Sequence, residues 1–292
     1  MSYGDQVKPA RTLEEQLSLL VDRGLSVSDE AKGRRYLYDT NYYRLSGFAR
    51  QFQLDPKGGN DQFRSDVTLE QMQVIVRLDT DLSLAMASCL GILERIVRAR
   101  FAYELAHSFG NDAFFLDHGS YLAVTPSLNK LIEKAEDELL RAKSPTVARY
   151  ALGTDLSKVP VWVAFELLSF GTVSRMLEYL ADRGPRELVA GSFSELKATF
   201  PSTVHSLAVL RNRCAHHGQH WHRFLTIQTP LVRKERRNAP KFDHQGLYPA
   251  FLAMRRMLRG IEGTVDLVDH VEQLMTASDQ VFSDGILNPR PA

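Results

Sequence analysis

The 292-residue chain can bury a substantial core, as one large domain or two unequal ones. Its 36 Lys and Arg against 35 Asp and Glu exclude a global basic field, so any nucleic-acid surface must arise by local clustering. Two cysteines, Cys89 and Cys214, exclude a disulfide framework, and no apolar run approaches the roughly 20 residues of a membrane helix.

The opening MSYGDQVKPARTLEEQ lacks the apolar segment of a signal peptide, so a cytoplasmic chain with no membrane partner is expected. Residues 1–11 read as a polar tail. Thr12 and Glu15 form a capping box for a first helix carrying Leu13, Leu17, Leu20 and Val21, and Gly24 ends it. A second helix is expected from near Ser28, leading into Asn41-Tyr42-Tyr43-Arg44-Leu45-Ser46-Gly47-Phe48. Core packing explains these aromatics, with Arg44 paired or lying along the rings. An RNA-facing Tyr/Arg surface is the alternative, because rings and guanidinium planes stack on bases.

Asp55-Pro56-Lys57-Gly58-Gly59-Asn60 reads as a loop and as the boundary between an N-terminal helical subdomain, 1–62, and a larger helical domain, 63–292. From Thr68, capped with Gln71, the pattern stays helical to Phe109, roughly 60 Å at 1.5 Å per residue. A break is expected at Asp79-Thr80-Asp81. Glu94 and Arg98, four apart, read as an exposed ion pair; the alternative is that Glu94 orients Arg211 or a catalytic histidine from a neighbouring helix.

Thr125-Pro126 opens a helix to about Lys143, with further joints at Ser144-Pro145 and Lys158-Val159-Pro160. Trp162, Phe165, Leu168 and Phe170 read as central core, Gly171 as a close approach or bend, and Glu166 as an acid needing a partner if buried. Short helices follow Gly184-Pro185, and Pro201 opens a helix ending in Arg211-Asn212-Arg213-Cys214-Ala215-His216-His217, which Gly218 can stop. Thr226–Lys241 reads as irregular, followed by helices at about 247–259 and 264–277 and a Gly/Pro-containing tail. No strand alternation with hairpin turns is found. The fold class is all-α.

At roughly 100° per residue, taking Arg211 as 0° puts Ala215 at about 40°, Asn212 at about 100° and His216 at about 140°. A cation, an amide and an imidazole share one sector, and Asn212 can hydrogen-bond and orient the ring four residues on. Such a set suits a phosphodiester: the imidazole moves protons and the guanidinium holds phosphate charge. The bland alternative is a helix-terminal histidine meeting the C-terminal dipole. His217, about 100° further round, serves as a phosphate ligand or a cap. The run His216-His217-Gly218-Gln219-His220-Trp221-His222 suggests a metal, but Gly218 interrupts the helix that a 216/220 pair needs, so neither metal nor cofactor is expected. Between Arg223 and Lys241 stand six basic residues, among them Arg233, Lys234, Arg236 and Arg237, and one acid, Glu235. Directly after the motif, this local excess of about five charges reads as an RNA-backbone surface.

The R-x4-H element of LRNRCAHH resembles the signature of HEPN ribonucleases. RNRCAHHGQHWHR further resembles the RN-x-CAHH-x3-WNR phrase of the Abi-like family, the AbiD/AbiF abortive-infection proteins of bacteria. Two more blocks agree, RGLSVSDEAKGRRYLYDTNYYRLSGFARQF and VPVWVAFELLSFGTVSRML, while His222 departs from the family's asparagine. The resemblance implies a HEPN-like helical bundle with an N-terminal extension. It implies a toxic anti-phage ribonuclease, metal-independent, working as a homodimer whose two Arg211/His216 pairs share one cleft, with Asn212 assisting and with His217 and Glu94 as supporting residues. It also leaves room for a non-catalytic protein holding a small regulatory RNA.

Overall fold

The computed structural model describes residues 9–110, 113–232, 235 and 239–291. It is 63% helical, with thirteen α-helices and one two-stranded sheet among the described residues, so the all-α class holds. In chain order these are α1 (Leu13–Asp22), α2 (Glu30–Thr40), α3 (Tyr42–Ala49), β1 (Gln53–Asp55), β2 (Asn60–Phe63), α4 (Leu69–Phe109), α5 (Pro126–Arg141), α6 (Pro145–Tyr150), α7 (Val161–Leu167), α8 (Phe170–Tyr179), α9 (Gly184–Ser192), α10 (Phe200–Ala215), α11 (Tyr248–Leu258), α12 (Val265–Thr276) and α13 (Gln280–Leu287).

Helix α4 is the axis of the molecule. Its 41 residues start from the Thr68/Gln71 capping box, and α7, α9, α10, α11 and α12 all pack on it. Packing on several sides explains why Met86, Cys89, Leu90, Leu93, Val97 and Phe101 are all fully buried. The expected break at Asp79-Thr80-Asp81 does not occur. Thr80 bonds back to the Val76 carbonyl at 2.9 Å, and Asp79 is turned inward to serve a loop 140 residues away in sequence, described below. A polar triplet that looked like a helix stop is a polar contact made by a continuous helix.

Three further expectations need correction. The chain is not free of hairpins: the loop at residues 55–60 is the turn between two antiparallel strands, β1 and β2. Asp55 Oδ1 accepts from the Gly58 amide at 2.9 Å and Gly59 takes φ +89°, and the strands are too short for alternation to show. The tail holds a thirteenth helix, α13, capped by Asp279 through the Phe282 amide at 2.9 Å. Trp162 is exposed rather than central core, and Glu166 beside it is also exposed, so no buried partner is required. Phe165, Leu168 and Phe170 are buried as expected.

Candidate functional site

Helix α10 holds the R-x4-H element because its apolar residues Val204, Leu207, Ala208 and Leu210 bury against α4, α8 and α11. This leaves Arg211, Asn212 and Ala215 on its open side. The helix closes in a Schellman motif: the His217 amide donates to the Cys214 carbonyl at 3.1 Å and the Gly218 amide to the Arg213 carbonyl at 2.8 Å. His217, not Gly218, takes the left-handed conformation, at φ +54°. Gly218 is needed for space instead, since a Cβ there would lie 2.8 Å from Arg213 Cγ. Arg44 on α3 donates to the His217 carbonyl at 2.7 Å, fixing a backbone shape that a residue with a side chain adopts at a cost of about 1–2 kcal/mol.

Glu94 is not an exposed i,i+4 partner but a buried acid joined to Arg211. It is 6% exposed, and its two oxygens divide between two arginines. Oε2 accepts from Arg211 Nε at 2.7 Å; Oε1 accepts from Arg98 Nε at 3.1 Å and closely from Arg98 Nη2. Arg98, itself buried, also donates to the carbonyls of Phe165, at 2.6 Å, and Leu168 at the end of α7. The chain of contacts therefore runs from α7 through Arg98 and Glu94 to Arg211. Arg211 keeps 38% of its side chain exposed, and its Nη1 donates to Asn212 Oδ1 at 3.3 Å. Gly171 on α8 faces Asn212, where an added Cβ would sit 3.9 Å from Nδ2.

His216 caps the helix with its imidazole exposed and without a hydrogen bond among the described residues. The expected Asn212–His216 contact is not made, because the amide oxygen is turned to Arg211 instead. His217 is also exposed. Of the expected RNA-binding residues, Arg44 is half-buried and committed to the His217 carbonyl, while Arg233, Lys234, Arg236 and Arg237 lie outside the described residues. Glu235, the acid of that basic run, pairs inward with Arg256 Nη1 at 2.6 Å. Among the described residues, the histidines after the motif do not assemble into a metal-ligating group.

The rest of the phrase is a structural anchor that the sequence reading missed. Asp79 Oδ1 accepts from the backbone amides of His220, at 2.9 Å, and Trp221, at 2.7 Å. Burial raises its carboxyl from 3.8 to about 7 despite those two bonds. Trp221 is buried between Phe48 and Phe52, with ring centroids 6.2 and 5.5 Å away. Burial also lowers His220 to about 3 and His222 to about 4. His222 sits at φ +52°, and its Nδ1 accepts the Arg290 amide at 3.0 Å. A left-handed residue with a side-chain acceptor is a place that asparagine suits equally well, which accounts for the substitution seen here.

Residues 35–222 match the family described as Abi-like protein, nearly two-thirds of the chain. The chain belongs to the Abi-like family. No curated protein and no solved structure gives a significant match. The region matched to the Abi-like family runs from α2 to His222, so it contains Arg44, Asp79, Glu94, Arg98, Arg211 and His216, and it stops short of the basic run. Membership suggests a part in abortive-infection defence. No helix among the described residues is long and apolar enough to cross a membrane.

Proposed function

We propose that this Abi-like protein is a metal-independent endoribonuclease of the HEPN type, acting as a toxin in anti-phage defence. The observation that carries the reading is the Glu94–Arg211 ion pair beside the exposed His216. A buried carboxylate on the central helix holds the guanidinium by Nε, leaving Nη donors on the open side of α10. In the reaction a histidine takes the proton from a ribose 2′-OH, whose oxygen attacks the adjacent phosphorus. Arg211 stabilises the charge on the equatorial oxygens, and the second histidine of a homodimer, or water, protonates the departing 5′-oxygen. The products carry a 2′,3′-cyclic phosphate and a 5′-hydroxyl. Dependence on the 2′-OH restricts cleavage to RNA. Arg233, Lys234, Arg236 and Arg237 supply the phosphate-binding surface.

The test is incubation of wild type and His216→Ala with a labelled single-stranded RNA in EDTA. Wild type is expected to cut, leaving cyclic-phosphate ends, and the variant to be inert while keeping its melting temperature. Equal cutting by both would remove His216 from the mechanism. One observation favours a second reading, a non-catalytic holder of a small regulatory RNA: no group within the described chain orients the His216 ring. That reading predicts RNA binding by both proteins with no cutting, in infected-cell extract as well as in buffer.

A further inference from the structure

A cationic cavity among the described residues lies away from the R-x4-H element. It lies in the N-terminal layer, has a volume of about 650 Å³, and is walled by α1, α3 and the β1 strand. This is within the range of small-molecule sites, roughly 300–1,000 Å³. Arg11, Arg23 and Arg50 face it with a single acid, Asp61, in a chain whose charges otherwise balance. Two of these guanidiniums are held in place by few bonds. Arg23 pairs with Asp61 at 2.9 Å and reaches the Tyr42 hydroxyl at 3.4 Å; Arg50 donates to the Pro56 carbonyl at 3.2 Å. Each guanidinium carries five N–H donors, so most remain free for an anion. Arg11 makes no ion pair among the described residues.

The second observation is independent of charge. Gln53, which contributes to the same wall, is 9% exposed, and its Oε1 has no hydrogen-bond donor. A buried amide oxygen left without a partner costs roughly 1–3 kcal/mol, and as the amide stands that oxygen is sealed from the cavity. Turning the amide exchanges its oxygen and nitrogen positions with little change in shape, and it is the turned amide that can offer its oxygen to a base N–H. A site with arginines for an anion, an aromatic wall in Tyr42 and an acceptor in want of an N–H matches the parts of one ligand class. We propose that this cavity binds a small nucleotide, its phosphate at Arg11 and Arg50 and a base N–H at Gln53.

The location gives such a ligand a route to the R-x4-H element. Tyr42 and Arg44 are two residues apart on α3, about 200° around the helix. Tyr42 meets the cavity, whereas Arg44 holds the His217 carbonyl from the other face. Helix α3 is thus the partition between the two sites, and the Gly47 carbonyl also accepts from Gln219 at 3.5 Å.

The experiment is titration calorimetry of the full-length protein with AMP, GMP and inorganic phosphate, in an Arg211→Ala/His216→Ala background so that the R-x4-H element contributes no binding. Saturable binding of at least one nucleotide is expected. Gln53→Leu should weaken it by about tenfold, the worth of one hydrogen bond, and leave phosphate binding unchanged. Arg11→Gln/Arg50→Gln should weaken both nucleotide and phosphate. Melting temperatures check that each variant folds, and Gln53→Leu should not fall, since it removes an unpaired buried group. Absence of nucleotide binding in the background protein, or wild-type-like affinity in the folded Arg11→Gln/Arg50→Gln variant, would overturn the proposal. Because no RNA is cut in this assay, its outcome is separate from that of the ribonuclease test.

Discussion

Glu94 serves two arginines with one carboxylate, and the two services can be separated. In Glu94→Gln the neutral amide leaves Arg98 buried without a counter-charge, which costs about 3 kcal/mol by the usual measure of a broken buried pair. Cleavage should fall as well, because Arg211 loses its hold. Adding Arg98→Met removes the stranded cation and should restore much of the urea midpoint without restoring cleavage. If the double variant regains both, Glu94 matters for folding alone. Asp79, His220 and His222 make a second residue-scale prediction, for pH. The folded protein keeps Asp79 protonated up to about 7, whereas the unfolded chain releases that proton near 3.8, so this group's contribution to stability declines as pH rises between them. The two histidines act oppositely: the unfolded chain holds protons below 6.5 that the folded protein releases already near 3 and 4, so their contribution grows with pH. Two against one, stability should climb to about pH 6.5 and then slip slightly toward 7. Asp79→Asn should climb more steeply from pH 4 to 6.5 and lose the final slip, as read from melting temperatures. A variant curve parallel to wild type would show that Asp79 does not titrate in that window.

At the scale of elements, the joint between the loop after α10 and α13 is a very close approach. A Cβ on Gly285 would lie 2.1 Å from Trp221 Nε1, and the Gly285 carbonyl accepts the His222 amide at 3.0 Å. Gly285→Ala should therefore lower stability by about 3 kcal/mol, an overpacking cost at the upper end of its range, while Gly91→Ala, where nothing is met, should not. Equal melting temperatures for both would mean that the Trp221 ring yields freely. The elements readable from sequence were those with local signals: the capping boxes of α1 and α4, the Thr-Pro start of α5 and the Pro201 start of α10. The hairpin was missed because three- and four-residue strands carry no period, and α13 because glycine and proline near it outweighed the Asp279 cap. Trp162 was misplaced for a different reason: an aromatic on an apolar helix reads as core, and only the arrangement of neighbours tells which face is left uncovered.

For the whole molecule, the proposed composite site makes catalysis depend on concentration. If two copies of Arg211 and His216 must meet, specific activity should fall on dilution below the dimer's dissociation constant, and the initial rate should vary with the square of protein concentration. A rate linear in concentration across a range where sedimentation shows monomer would limit the site to one chain. The motif residues themselves were legible from the R-x4-H spacing. What holds them was not: Glu94 and Asp79 come from more than a hundred residues upstream, and one-dimensional spacing made the first look like a surface pair and the second like a helix break.

Those two acids lie fifteen positions apart on one uninterrupted helix, with Glu94 holding the segment before the turn at His217 and Asp79 the segment after it. Helix α4 is therefore a ruler for the motif: about 22 Å of rigid rod sets both attachment points. Exchanging outward side chains between them, such as Leu84 or Ser88, leaves the ruler unchanged. Removing one residue would swing one anchor about 100° out of line with the other, so that only one end of the motif could be held. Across variants of this protein, the interval between positions 79 and 94 should tolerate changes of letter and no change of length.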